Sequence, residues 1–339
     1  MSYSKLTFKL SVSAFFVLLA AITFQLLENF SDPYDTDKFY LAWVSGLQDV
    51  SFEHDFFKNL YLVSFQTIKA PEPITHIFMW CFGNLTSLSA TTLLSLLSIF
   101  VIFLLASNIP TKPQEFLVTF LILLYLTSFS YYWFVLFEIT HRLKLSIIFL
   151  IISITAKKYR YSNLSSLLLL LSIFTHFSVI LMLPIFFYFR KYNFNGPELE
   201  EKQFLIWLLG GILFLFLLFS VFLIGEDFND FTLLIINKLP FINKSNLIII
   251  IGSCIFYIFY KKYFRSEKFT RVVALVFLVV AINFLGTSRI LMLVMLACTL
   301  VVLFNPDMIF LKTYKLHISK MVFLTILCWD IFRYVEMVT

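Results

Sequence analysis

A chain of 339 residues that is 60% hydrophobic and only 14% charged, with 44 phenylalanines and a mean hydropathy of +0.91, cannot cover the surface of a water-soluble fold, where charged residues run to about 25%. The formal charge of +6 and pI near 9.0 then report membrane topology rather than nucleic-acid binding, because basic residues collect in cytoplasmic loops. The apolar segments lack the alternation of barrel strands, so the composition predicts an all-α polytopic membrane protein.

The first apolar run, about Leu10 to Leu27, follows Lys5 and Lys9 and is succeeded by QLLENF. No small-residue cleavage site follows it, which predicts an uncleaved first helix with a cytoplasmic N-terminus. About 28–90 then reads as periplasmic. A long acidic loop carries Asp32, Asp35, Asp37, Asp49, Glu53, Asp55 and Glu72, and the short apolar run Ile74 to Ser89 reads as an interfacial or re-entrant helix. A full crossing there would send Arg142 inside and the cationic clusters at 157–160 and 261–271 outside, against the positive-inside rule.

Spans are then expected at about 91–107, 116–135, 143–156, 164–177, 178–189, 204–224, 247–260, 271–286, 290–304 and 319–334. With the first helix they make roughly eleven, and a second periplasmic loop falls at about 225–246. This frame sets 17 of the 26 basic residues inside and 9 outside. The outside set is Lys38, Lys58, Lys69, Arg142, Lys144, Lys238, Lys244, Arg289 and Arg333. Cys81, Cys254, Cys298 and Cys328 stand singly in apolar runs, without metal-ligand spacing, and read as small packed hydrophobes.

The stretch from Glu138 to Pro184 orients the rest. Arg142 and Lys157 lie about 22 Å apart along a helix, near opposite faces of a hydrocarbon core about 30 Å thick. Arg142 and Arg289 both sit at outer span ends beside polar residues, Thr140 and His141, and Thr287 and Ser288. Each alone could snorkel to headgroups or pair for structure; two at one level suit a diphosphate, whose oxygens match the planar guanidinium fork. His176 interrupts LLLLLSIFTHFSVILMLPIFFYFRK. A single crossing would put Arg160 and Arg190 on opposite faces, so a break is expected at Thr175 to Ser178, with His176 at the outer face level with Arg142. There a neutral imidazole can accept a hydroxyl proton, or the histidine simply bonds a neighbouring helix. Glu138 and His141 share the outer patch and compete for the base role.

These residues resemble the EpsG and Wzy-type O-antigen or exopolysaccharide polymerases. The likeness rests on DTDKFY followed by PEPITHIFMW, on ITHRLKLSIIF followed by a Lys-Lys pair, on FTHFSVILMLP, and on GTSRILMLVML, together spanning about residues 28 to 300. Members often read Arg-Gln-Gly-Ile/Leu-Ala where this chain has Arg142, Leu143, Lys144, Leu145 and Ser146, and an arginine common before the acidic loop is missing.

The resemblance implies a GT-C-like helical bundle in the bacterial inner membrane, joining undecaprenyl-diphosphate-linked glycans at the periplasmic face. Arg142 and Arg289 would hold the diphosphate, His176 would activate the acceptor, and Asp35, Asp37, Glu72, Glu138 and His141 would contact substrate. It implies no cofactor and no nucleic acid. Membrane lipid, a chain-length regulator and a flippase are the implied partners. No metal site is expected; the Asp-Thr-Asp triplet at 35–37 is the one candidate of DxD type. Two rivals come from other classes. A flippase or other transporter predicts internal repeats and midplane charges, and a polysaccharide acyltransferase predicts an early cytoplasmic Arg and His; neither pattern is visible in the sequence.

Overall fold

The computed structural model describes residues 3–28, 36–52, 56–68, 73–86, 90–138, 141–176, 287–306 and 327–336, with 179, 182–183 and 185–186. Among these residues the regular structure is helical and no strand occurs. In chain order the helices are α1 (Tyr3–Glu28), α2 (Thr36–Gln48), α3 (Phe56–Ile68), α4 (Pro73–Thr86), α5 (Ala90–Ser107), α6 (Pro113–Phe129), α7 (Tyr131–Glu138), α8 (His141–Lys158), α9 (Ser162–Thr175), α10 (Thr287–Phe304) and α11 (327–336). The spans expected at 178–189, 204–224, 247–260 and 271–286, and the loop at 225–246, fall wholly or mostly outside the described residues. The chain divides into two compact units, Met1–Glu198 with Met295–Thr339, and Leu199–Val294. Of the second unit, only the start of α10 is among the described residues.

Within the first unit, α8 and α9 form an antiparallel hairpin. Its turn closes with Arg160 in the left-handed region at φ 67°, where Arg160 N donates to Lys157 O at 2.9 Å and Tyr161 N to Ala156 O at 3.0 Å. That pair of bonds satisfies the last carbonyls of α8 in the Schellman manner. Serines hold the two helices together. Ser146 Oγ donates to Ser172 O at 2.6 Å and Ser172 Oγ to Ser146 O at 2.8 Å; one heptad further, Ser153 Oγ donates to Ser165 O at 2.7 Å. All four serines are wholly buried. Small side chains let the backbones approach closely, and each hydroxyl bonds across the gap rather than only within its own helix.

Around this hairpin, α1 packs on α5 and α6, and α5 on α8. Phe16 of α1 lies 5.1 Å from Phe120 of α6, and Phe15 stacks on the same ring at 6.0 Å. The stretch Leu6–Thr23 is, by length and composition, the one described helix segment able to cross a bilayer. Shorter apolar helices cover Leu96–Ser107, Pro113–Phe129, Ser162–Thr175 and Met292–Phe304.

Two expectations need correction. The acidic segment after α1 is not simply a loop, because it contains α2 and α3, packed on each other and on α4. Among its acids runs a helical period: Trp43 and Leu47, and Phe56, Leu60 and Ser64, recur at four-residue spacing and are buried. Trp43 Nε1 donates to Ser64 Oγ at 2.9 Å, and Gly46 allows the approach, since a Cβ there would meet Val63 Cγ1 at 3.1 Å. The second concerns 116–135, which breaks at Ser130 instead of running through. Ser130 is extended (φ −99°, ψ 116°), and its Oγ accepts from Trp133 N at 3.2 Å as the N-cap of α7.

The hairpin makes a direct prediction. Ser172→Ala should cost about 1 kcal/mol, the worth of a buried hydrogen bond, whereas Ser172→Leu should cost about 3 kcal/mol by forcing the helices apart. Thermal unfolding in detergent reads both, and equal losses would show that close approach does not matter.

Candidate functional site

Contacts distinguish the two ends of this helical assembly. At one end Lys9 Nζ donates to Ser107 O, the C-terminus of α5, at 3.1 Å. Phe8 lies 5.5 Å from Phe116 in the first turn of α6, and Lys158, closing α8, is within electrostatic reach of Lys9. Cations read as lying on one side therefore share one end.

The other end gathers the start of α8, the end of α9 and the start of α4. Ser146 pairs with Ser172 and Ser153 with Ser165, so the register is fixed. One turn beyond Ser146, about 6 Å along the axis, it sets Arg142 level with His176. α9 ends at Thr175 and His176 is its extended C-cap (φ −154°, ψ 107°), with its N–H donating to Ser172 O. The helix thus ends within the stretch Thr175 to Ser178 where a break is expected. Thr75 of α4 donates through Oγ1 to Thr175 O at 2.7 Å in a buried bond. This hydroxyl satisfies a carbonyl that the end of α9 leaves without an intrahelical donor, and it brings α4 to the same level.

Arg142 and His176 are both partly buried there. His141 opens α8 and Glu138 closes α7, so the backbone carries both to this end; their side chains lie outside the described residues, as does that of Asp37 in the first turn of α2. Asp35 and Glu72 are outside them entirely, although Glu72 immediately precedes α4. Arg289 lies in the first turn of α10, in the second unit, and its side chain is likewise not described.

Lys144 departs from its reading as an outer cation. It is wholly buried, and its Nζ donates to Ser98 Oγ of α5 at 2.6 Å. Two residues on a helix turn about 200°, so Lys144 faces α5 while Arg142 faces elsewhere. His76 was overlooked. It is buried, and its ring meets Trp43 edge-on with centroids 5.8 Å apart. A sequence signal existed: Thr-His occurs three times, at 75–76, 140–141 and 175–176, and accounts for three of the five histidines. The pairs fall at the start of α4, the start of α8 and the end of α9. Among the described residues no group of three or more His, Cys, Asp or Glu could hold a metal ion. Two helix N-termini, of α4 and α8, open at this level, and such termini favour anions.

No protein-family model matches the chain. Neither any curated protein nor any solved structure matches it.

The level of Arg142 and His176 rests on the register, which cysteine pairs test. With Cys81, Cys254, Cys298 and Cys328 changed to serine, the pair Ser146→Cys and Ser172→Cys should close to a disulfide. Ser146→Cys with Ser165→Cys should not, because a heptad separates them by about 10 Å, beyond the reach of a disulfide. Equal closure of both pairs would remove the shared level.

Proposed function

We propose that this chain is a polytopic glycosyltransferase of the bacterial inner membrane, with roughly eleven spans and a cytoplasmic N-terminus. It joins undecaprenyl-diphosphate-linked oligosaccharide repeat units into O-antigen, capsule or exopolysaccharide at the periplasmic face.

The lipid setting is supported by an inverted distribution of side chains. α1 leaves Leu6, Phe8, Leu10, Phe15, Leu18 and Ile22 exposed, α5 leaves Leu96, Ile99 and Phe100, and α6 leaves Leu117 and Leu121. Ser13, Ser146, Ser153, Ser165, Ser172, Lys144 and Asp330 are meanwhile 0% exposed. A water-soluble fold hides the first set and wets the second; a bundle in hydrocarbon does the reverse. An apolar helix near an N-terminus also fits a signal sequence. The packing of α1 supports the reading as a retained span: Phe16 and Ala20 are wholly buried, and Lys9 is bonded to the end of α5.

The chemistry is supported by one observation above the rest, the shared level of Arg142 and His176 at the end opposite Lys9 and Lys158. In the proposed reaction a hydroxyl at the non-reducing end of one glycan attacks the anomeric carbon of another. The bond from that carbon to the lipid diphosphate breaks, its electron pair leaves with the diphosphate, and the hydroxyl proton passes to His176. Arg142 binds the diphosphate as its charge grows. Asp35, Asp37, Glu72, Glu138 and His141 are the proposed sugar and acceptor contacts. The transporter alternative would place ionisable groups near the midplane. Lys144 is the fourth residue of α8, so this buried cation sits near an end.

Reporter fusions test the membrane frame. An enzyme active only in the periplasm should work when fused after Asp55 and fail after Tyr159; activity at Tyr159 would invert the site and end the proposal.

Variants test the chemistry. Arg142→Ala should abolish polymer while single repeat units still reach the acceptor, and Arg142→Lys should restore little, since an ammonium lacks the fork geometry. His176→Ala and His176→Gln should each suppress polymerisation about a hundredfold. Normal polymer from a well-expressed Arg142→Ala chain would reduce the arginine to a headgroup anchor, and activity in His176→Gln would make the histidine a positioning group.

A further inference from the structure

The buried Asp330 belongs to none of the chemistry above. It lies in α11, is 0% exposed, and reaches across 200 residues of sequence to the junction between α6 and α7. Ser130 Oγ donates to its Oδ2 at 2.6 Å, Tyr132 N donates to its Oδ1 at 2.8 Å, and the Tyr125 hydroxyl donates to Oδ2 as well. These partners are all donors, the set an ionised carboxylate requires when water is excluded. One turn further along α11, the Arg333 guanidinium lies 5.3 Å from the centroid of the Tyr131 ring and bonds Glu336.

The junction is a weak point that this contact repairs. α6 stops at Phe129, and α7 restarts at Tyr131 with backbone N–H groups that no preceding turn can satisfy. Ser130 Oγ takes one of them, from Trp133, and Asp330 takes that of Tyr132. A carboxylate is also the right charge for the positive end of α7. α7 is eight residues long, too short to hold itself. At its far end it carries Glu138, and after a gap of two residues α8 opens with His141 and Arg142.

We propose that Asp330 is a positioning residue: an N-cap supplied from α11 that anchors α7 and thereby holds Glu138, at its far end, at the level of Arg142 and His176 that the serine pairs set. Its catalytic half rests on the polymerase reading, whereas its anchoring half does not. α11 leaves Trp329 and Phe332 exposed, so the carboxylate is the inward-facing feature that ties this helix to the junction.

The test uses the full chain and two readouts. Hydrogen exchange in detergent should show Asp330→Ala losing protection at residues 131–134 while α8 and α9 keep theirs. Polymer made in membranes, at matched protein level, should fall about a hundredfold, the scale of a misplacement near 1 Å. Ser130→Asp added to Asp330→Ala supplies the carboxylate from the N-cap itself, and should restore both protection and a substantial share of the polymer. Unchanged protection in Asp330→Ala overturns the anchor. Lost protection with normal polymer overturns the positioning role but leaves the polymerase reading standing. If the wild-type chain makes no polymer in cells lacking their own polymerase, the functional reading and the positioning role both fall, and exchange alone decides the anchor. A general collapse of exchange protection, unrescued by Ser130→Asp, would assign Asp330 to global stability and overturn the proposal.

Discussion

The serine pairs between α8 and α9 are the constraint on which the arrangement of the site depends. Leucine at any of the four positions would hold the helices farther apart, and hydroxyls facing only their own helix would leave the register free to slide. Bonds from Ser146 to Ser172 and from Ser153 to Ser165 fix separation and register together. The closing turn adds little freedom, since Arg160 accepts a left-handed backbone that costs an ordinary residue about 1–2 kcal/mol. Everything at the Arg142 end is then set by counting turns from Ser146.

The same hairpin determines how α4 is held. Helix termini leave carbonyls and amides without intrahelical partners, and an apolar setting makes each one expensive. Thr75 meets the end of α9 through Thr175 O, and Asp330 and Ser130 meet the start of α7. Both bonds join segments distant in sequence, by 100 residues for Thr75 and 198 for Asp330 and Tyr132. Tertiary structure here is organised by the ends of helices as much as by their faces. Phe78 against Phe149, at 5.9 Å, and Phe56 against Trp80, at 4.7 Å, fill the space between.

Much of the helical layout was legible in the sequence because apolar runs bounded by cations have few interpretations. α1, α5, α8, α9 and α10 lie close to the expected runs, and the end of α9 at Thr175 falls within the break expected at Thr175 to Ser178. What escaped notice shares one cause, that the decisive partner is remote or depends on helical phase. Nothing near Ser130 announces a break, for the flanking LTSFSYYWFV holds no glycine, proline or charge; the break is sustained by Asp330. Lys144 looks like Arg142's neighbour in the chain, yet its phase turns it onto Ser98 of α5. α2 and α3 were hidden by acids that outnumber the buried Trp43, Leu47, Phe56 and Leu60 on inspection but not in packing. The Thr-His recurrence was present throughout and gained meaning only when three helix ends met.

The meeting of those ends has an electrostatic consequence for the proposed chemistry. α4 and α8 present N-termini at this level and α9 a C-terminus, so the end of the assembly is polarised across the distance between Arg142 and His176. Partial positive charge gathers where Arg142 stands, and partial negative charge where His176 follows the last turn of α9. Glycosyl transfer develops charge in the same sense, negative on the departing diphosphate and positive on the group that receives the proton. Dipoles fixed before the reaction need no reorganisation as that charge appears, so the helix ends would assist both halves of the step without touching substrate. Reversing the chain direction of α9 would keep every side chain at this level and lose that assistance. The order of the helices, and not only the identity of Arg142 and His176, would therefore be part of what the proposed reaction requires.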